Sequence, residues 1–361
     1  MDPFLLLAVA EAVGPAPIAA LLAPDLDAEK ALREPPQEVP ERVRRRLEDL
    51  GELRRTAKSW RALAEVHGCA LLTPLDPHYP PRLAGQALRP LVLFARGNLA
   101  LLEAGRASIA VVGSRTPTPY GAGAAEDFAS ALAAAGFVLW SGLAYGIDAI
   151  AHRCATRSRS PTVAVLAGGI DKIYPSAHTS LAAEILATDG LLLSEAPPGL
   201  RATRGHFPRR NRILAGGVGG VLVVEAGEAS GSLITAHAAA EVGTDVWAVP
   251  GPYGSPRSRG CHKLIAEGAG IACDPEHLLR ELGVASGLEQ GPLPSRLELG
   301  ADAVAVLRVL AGGPRPRDLV LREARLSRPA LLAALDELST KGLVTEFPGD
   351  VVGAVRSASQ R

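Results

Sequence analysis

The residues best equipped for chemistry lie between 201 and 212, Arg-Ala-Thr-Arg-Gly-His-Phe-Pro-Arg-Arg-Asn-Arg. This segment holds five arginines, one histidine, one phenylalanine and no acid. Guanidinium forks neutralise phosphate oxygens, and an aromatic ring stacks on an unpaired base for about 1–3 kcal/mol. Basic groups interleaved with a ring therefore suit single-stranded nucleic acid. The alternative for the same arginines is an internal network with Glu195 and Glu225, and the two arrangements can coexist. Further anion-binding candidates follow short apolar runs: Gly113-Ser114-Arg115-Thr116, Ser141-Gly142, Gly168-Gly169 and Ser230-Gly231-Ser232. Glycine admits close backbone approach, and hydroxyls and free N–H groups at a helix start meet an anion. Any one of these is an ordinary turn. Several on one rim make a phosphate-binding edge.

Other chemistries lack their residues. The first run is followed by Gly113-Ser-Arg-Thr-Pro-Thr-Pro rather than GxGxxG, and Ser141 stands where a ribose-binding acid belongs. Both features argue against ordinary NAD binding. No Walker A sequence occurs. The four cysteines show no CxxC spacing and the eight histidines are scattered, so neither a metal site nor a disulfide framework is expected. Asp148 and His152, at i and i+4, read as a helix-surface pair. No catalytic residue and no cofactor are assigned.

The elements that must position these residues are strands and helices in alternation. Apolar runs at 109–112, 137–140, 163–166, 191–193, 221–224 and 246–249 are continuous rather than alternating. Strands covered on both faces look like this. Spaced by helical segments, they predict an α/β fold with a Rossmann-like, doubly wound, mostly parallel sheet. Ligands of such sheets bind beyond the carboxyl ends of the strands, where the Gly, Ser and Arg clusters fall. Residues 4–23 read as two helices broken at Gly14-Pro15, a helix-hairpin-helix or plain αα-hairpin. Residues 41–67 form a charged helical stretch with eight Arg/Lys. The boundaries expected are a helical domain at 1–72, an extended Rossmann-like domain at 73–285, a Gly/Pro/Ser linker at 286–297 and a winged-helix-like domain at 298–361. The last rests on three helical patterns, at 298–311, 316–325 and 328–341, and a hairpin through Pro348-Gly-Asp. Its third helix carries Asp336 and Glu337, which favours a protein-interaction role over groove reading.

A chain of 361 residues suggests two or three domains, and 47% apolar content suffices for a core. The formal net charge of zero excludes global polycation behaviour while leaving room for local basic patches. Of 38 basic residues 33 are arginine, a bias that fits a GC-rich genome better than selection for phosphate forks. No apolar run approaches the ~20 residues of a membrane helix. The N-terminus, with Asp2, Pro3 and Glu11, lacks a basic leader. A soluble cytoplasmic protein with no membrane partner is expected.

Taken together, IAVVGSRTPTPYG (109–121), WSGLAYGIDAIAH (140–152), VAVLAGGIDKIYP (163–175), LLLSEAPPG (191–199), HFPRRNRILAGG (206–217), VLVVEAGEASGSLITAHAAAEVG (221–243), WAVPG (247–251) and GCHKLIAEGA (260–269) resemble the DprA/Smf family, the DNA-processing proteins of natural transformation and competence. The resemblance covers about 105–282, with a looser match at 76–97 and at both ends. It implies a non-catalytic core that binds single-stranded DNA, forms a homodimer through that core, shields incoming strands and loads RecA recombinase onto them. Carried over by motif, Gly113, Ser114 and Arg115 would form a phosphate pocket lined by Ser141 and Gly142. Arg209, Arg210, Asn211 and Arg212 would hold the strand, with Phe207 near a base and Gly231 and Ser232 on the same rim. One departure is the glycine-rich 216–220 stretch, expected to loosen the loop before the fifth strand. The rival from another class is a nucleotide phosphoribohydrolase on a related core. The 225–235 slot has Gly231-Ser232 but neither PGG nor an acid in the helix's first turn.

Overall fold

The apolar runs become strands because helices cover both faces of the sheet they build. In a computed structural model of the chain, residues 1–11, 27–86, 89–284, 300–310, 315–340, 343–347 and 351–354 are described. The expected hairpin at Gly14-Pro15, the 286–297 linker and the Pro348-Gly-Asp turn lie outside them. The chain divides into two compact units, 1–285 and 286–361.

The first unit contains a nine-stranded sheet. Its strands are β1 (Ala70–Leu72), β2 (Leu93–Gly97), β3 (Ser108–Val112), β4 (Val138–Ser141), β5 (Thr162–Leu166), β6 (Leu191–Ser194), β7 (Gly220–Val223), β8 (Asp245–Ala248) and β9 (Gly270–Ile271), in the order β1-β2-β6-β5-β4-β3-β7-β8-β9. From β6 to β9 all neighbours are parallel, and β2 and β1 add an antiparallel edge. The expected Rossmann-like fold is therefore present. Along β3, Ile109 and Val111 enter one apolar layer with Phe128 and Leu132, while Ala110 and Val112 enter the other with Ile213 and Leu214. That two-sided burial is why the runs are apolar at every position. From β3 the chain first builds outward through β4, β5 and β6, then returns to the other side of β3 with β7. The switch falls at the carboxyl end of β3, the usual ligand position in open α/β sheets.

The N-terminal helices pack on the β2 edge. The Pro3–Glu11 helix is apolar all round and buried among the Ala28–Arg33, Glu41–Glu48 and Leu50–Val66 helices together with Leu91, Val92 and Phe94. The charged 41–67 stretch is two helices, because Asp49 leaves helical geometry and its carboxylate caps the second by accepting from Glu52 N (2.8 Å).

The glycines at 216–220 tighten the structure rather than loosen it. A Cβ at Gly217 would sit 2.7 Å from the Trp140 ring, and one at Gly220 would sit 2.5 Å from the Trp247 ring. Glycine is needed there so that the helix end and β7 can lie flat on two indoles.

The second unit has helices Ala301–Leu310, Arg317–Glu323 and Arg328–Thr340, with strands β10 (Arg315–Pro316), β11 (Val344–Phe347) and β12 (Val351–Ala354) in the order β10-β12-β11. Its core is its own, built on Val306, Leu310, Val320, Leu335 and Leu338. Three helices and a small antiparallel sheet give it winged-helix make-up. No described helix is long and apolar enough to cross a membrane.

Candidate functional site

The loop after β3 is the floor of the site, and Glu225 fixes it. The buried Glu225 carboxylate accepts from Thr118 N (3.1 and 3.2 Å) and from the Thr118 hydroxyl, and Glu225 O accepts from Ser114 N (2.7 Å). Thr118 in turn caps the Pro119–Ala134 helix through Gly121 N (3.1 Å), with Pro119 in the first turn. Among the described contacts Glu225 therefore serves the loop after β3, not the arginine network anticipated for it.

Arg210 fixes the neighbouring strand ends. It is buried, and its Nη1 donates to the carbonyls of Gly142 and Val165 while Nε donates to Asn211 Oδ1 (3.1 Å). A Cβ on Gly142 would fall 2.1 Å from that guanidinium, so glycine at 142 makes room for the arginine. Burial lowers the Arg210 pKa to about 10, partly offset by Asp148, and it remains a cation at neutral pH. Asp148 accepts from Gly142 N (3.0 Å) and Ala144 N (3.3 Å), and burial raises its pKa against the pull of Arg210. Asp148 and His152 are thus not a helix-surface pair. Both are buried, and His152 Nδ1 lies 2.9 Å from Thr162 Oγ1. The Thr162 hydroxyl donates to Leu139 O, so Nδ1 carries the proton given to it.

The structure divides the predicted 209–212 quartet between two tasks. Arg209 and Arg212 both pair with Glu195, Arg209 at 3.7 Å and half-buried, Arg212 more deeply. Asn211 Nδ2 donates to Gly231 O (3.3 Å), tying the His206–Gly217 helix to the start of the Gly231–Glu241 helix. Arg210 Nη1 and Nε, Asn211 Nδ2 and Arg212 Nη2 therefore serve the rim itself. Ser141 is buried and donates to Val111 O (2.7 Å).

Above this support lies an open groove of about 860 Å³. Gly113, Ser114, Arg115, Phe207, Arg210, Asn211, Gly231 and Ser232 from the predicted set all line it, whereas Ser141, Gly142, Arg209 and Arg212 do not. Arg115 is exposed and stacks over the Phe207 ring at 5.1 Å from its centroid. Tyr174 meets the same ring edge-on at 5.8 Å and is half exposed. Ser230 caps the Gly231–Glu241 helix, whose N-terminus opens onto the groove. Sequence reasoning missed Tyr174 and Arg257 as lining residues and counted Arg204 only within the basic 201–212 segment. The signal for Arg257 was present in the loop after β8, Pro-Tyr-Gly-Ser-Pro-Arg, one more strand end on the same rim. The three exposed arginines 115, 204 and 257 face a single lining carboxylate, Asp148, which is already bonded to backbone N–H groups. The arrangement concentrates positive charge and an aromatic face in one cleft, and no described cluster of three His, Cys, Asp or Glu is placed to hold a metal.

The chain resembles known proteins over this whole region. Protein Smf of Escherichia coli is 38% identical over 299 residues, covering 80% of this chain and 79% of that protein. The DNA processing protein DprA of Streptococcus pneumoniae is 43% identical over 207 residues, covering 57% and 72%. Its X-ray structure superposes with a TM-score of 0.65 at 34% identity, covering 78% of this chain and 98% of that one. DprA from Helicobacter pylori, whose structure is described for its single-stranded DNA binding mode, superposes with a TM-score of 0.53 at 27% identity over 60% of this chain and 96% of that one. The model for DNA recombination-mediator protein A matches residues 70–283, from β1 through every loop that lines the groove, and the chain belongs to that family.

Proposed function

We propose that this chain binds single-stranded DNA in the groove at the carboxyl end of β3. The observation that carries the reading is the lining: exposed Arg115, Arg204 and Arg257 beside Phe207, with the one lining carboxylate, Asp148, held by backbone N–H groups and offset by the buried Arg210. Arg115 takes a backbone phosphate and Phe207 stacks a base. The Gly231 N–H at the helix start and the Ser114 and Ser232 hydroxyls meet the strand beside Gly113, and Arg210, Asn211, Arg212, Ser141 and Gly142 hold the rim in shape. Only splayed bases reach the ring, so single strands bind better than duplex. The Helicobacter pylori relative supports the substrate class. In this reading the protein makes no covalent change to DNA. It shields strands as a homodimer formed through the sheet unit and passes them to RecA, with 1–72 and 298–361 as accessory helical and winged-helix-like domains.

Fluorescence anisotropy with a labelled oligo-dT of about 25 nucleotides tests the first step. Wild type binds in a salt-sensitive manner, and Arg115→Ala weakens binding and lowers the log K against log salt slope by about 0.7. Equal binding by Arg115→Ala at all salt concentrations refutes the site. The transfer step is read in the same preparation as faster RecA filament growth on coated strands. Release of ribose 5-phosphate from AMP would instead favour the phosphoribohydrolase reading.

A further inference from the structure

Arg257 comes from a loop that no motif of the groove includes, and it is held unlike a surface arginine. Its Nη1 donates to Thr116 Oγ1 (3.0 Å) and Ser114 Oγ (3.3 Å), reaching across to the floor of the groove. Both acceptors are neutral. No carboxylate among the described residues lies within 4.0 Å of it, whereas Arg259, two residues on, meets Glu228 at 3.9 Å. The guanidinium is therefore oriented without being neutralised. Two of its five N–H donors serve the hydroxyls, and those on Nε and Nη2 have no described acceptor.

The loop that carries Arg257 is itself pinned. Gly260 N donates to Ala226 O (2.8 Å), Ser258 N to Ser255 O (3.1 Å) and Arg257 N to Ser255 Oγ (3.2 Å). His262 Nε2 lies 3.0 Å from Gly251 O, and a Cβ on Gly251 would fall 2.2 Å from Ser258 Oγ. A cation on a pinned loop loses little freedom when it meets an anion.

We propose that Arg257 is a second phosphate-binding arginine of the groove, gripping the single strand on the β8 side of the Gly113–Thr116 loop. The inference rests on the single-strand reading above and extends it. Arg115 and Phe207 engage the strand on the side of β5, where Tyr174 also stands. Arg257 reaches the same loop from the far side of β3, its chain coming from β8, two strands away in the sheet order or about 10 Å at the usual strand spacing. The strand then crosses the switch point of the sheet instead of entering the groove at one end only.

The test uses the full chain and the same labelled oligo-dT at about 50 and 200 mM salt. Arg257→Gln keeps a donor for Thr116 and removes the charge. It should lower the slope of log K against log salt by about 0.7, so that its deficit relative to wild type is about 2.6-fold larger at the lower salt. Thr116→Val removes the shorter of the two braces and keeps the charge, and it should leave the slope at the wild-type value. A wild-type slope for Arg257→Gln overturns the proposal, because Arg257 then only braces the loop. If Arg115→Ala changes the slope in that experiment, the groove reading survives the loss. If neither arginine variant changes it, or wild type does not bind, both readings fall.

Discussion

At the scale of the residue, arginines divide by what their donors face. Arg115 and Arg257 turn guanidinium groups toward the groove, while Arg210 and Arg212 spend theirs on carbonyls and on Glu195. A buried arginine that positions a rim and an exposed one that meets a ligand look alike in sequence and differ in every physical consequence. Phe207 is the complementary case. Its ring already carries Arg115 on one face and the Tyr174 edge beside it, so it is oriented before any base arrives. Phe207→Ala should weaken oligo-dT binding by about 1–3 kcal/mol at unchanged salt slope. Calorimetric or anisotropy titrations at two salt concentrations separate the outcomes. Unchanged affinity would remove the stacking role and leave the phosphate contacts standing.

At the scale of the element, the Ile147–Arg157 helix shows how the site is braced from below. Gly146, at φ +74°, lets the chain pass over the first loop, and a Cβ there would sit 2.2 Å from Ser114 O. Ile147 N then donates to Ser114 O at 3.1 Å, locking the helix start to the Gly113–Thr116 loop. One turn on, His152 is buried, and burial lowers its pKa from 6.5 to about 3. The unfolded chain therefore takes up a proton below pH ~6.5 that the folded chain refuses. The stability this neutral imidazole contributes is present above ~6.5 and is lost as pH falls, at up to about 1.4 kcal/mol per unit until the folded pKa is reached. Asp148 acts in the opposite direction, since its raised pKa favours the fold at low pH and that contribution is lost as pH rises. Urea unfolding at about pH 7.5 and 5.5 should show wild type losing about 1 kcal/mol more than His152→Gln. Parallel losses in the two proteins would mean that the imidazole is protonated in the fold.

At the scale of the whole molecule, the two units have separate cores, and every residue of the groove belongs to the first. A chain ending at residue 285 should therefore keep most of its oligo-dT affinity and all of its salt slope. Loss of binding on that truncation would move the DNA site to the second unit. Sedimentation or light scattering of the full chain tests the homodimer, which should run at twice the 37.4 kDa of one chain.

Much of this was legible in the sequence, for local reasons. Continuous apolar runs report burial on both faces, and their alternation with helical segments makes that a mostly parallel sheet clothed by helices, so strand positions and fold class followed from the chain itself. The clusters at 113–116 and 230–232 and Phe207 were legible too, because strand ends in such a fold share one rim. What the sequence left open was direction and distant company. Nothing local distinguishes Arg210, which runs beneath Gly142, from Arg209, which pairs at the half-exposed edge. Nothing local says that the glycines at 217 and 220 are flattened against Trp140 and Trp247. The bond from Arg257 to Ser114 spans 143 residues of chain and exists only because β8 lies two strands from β3. Strand pairing and side-chain burial are decided between segments far apart in sequence, and the tertiary structure alone settles which cations face the groove.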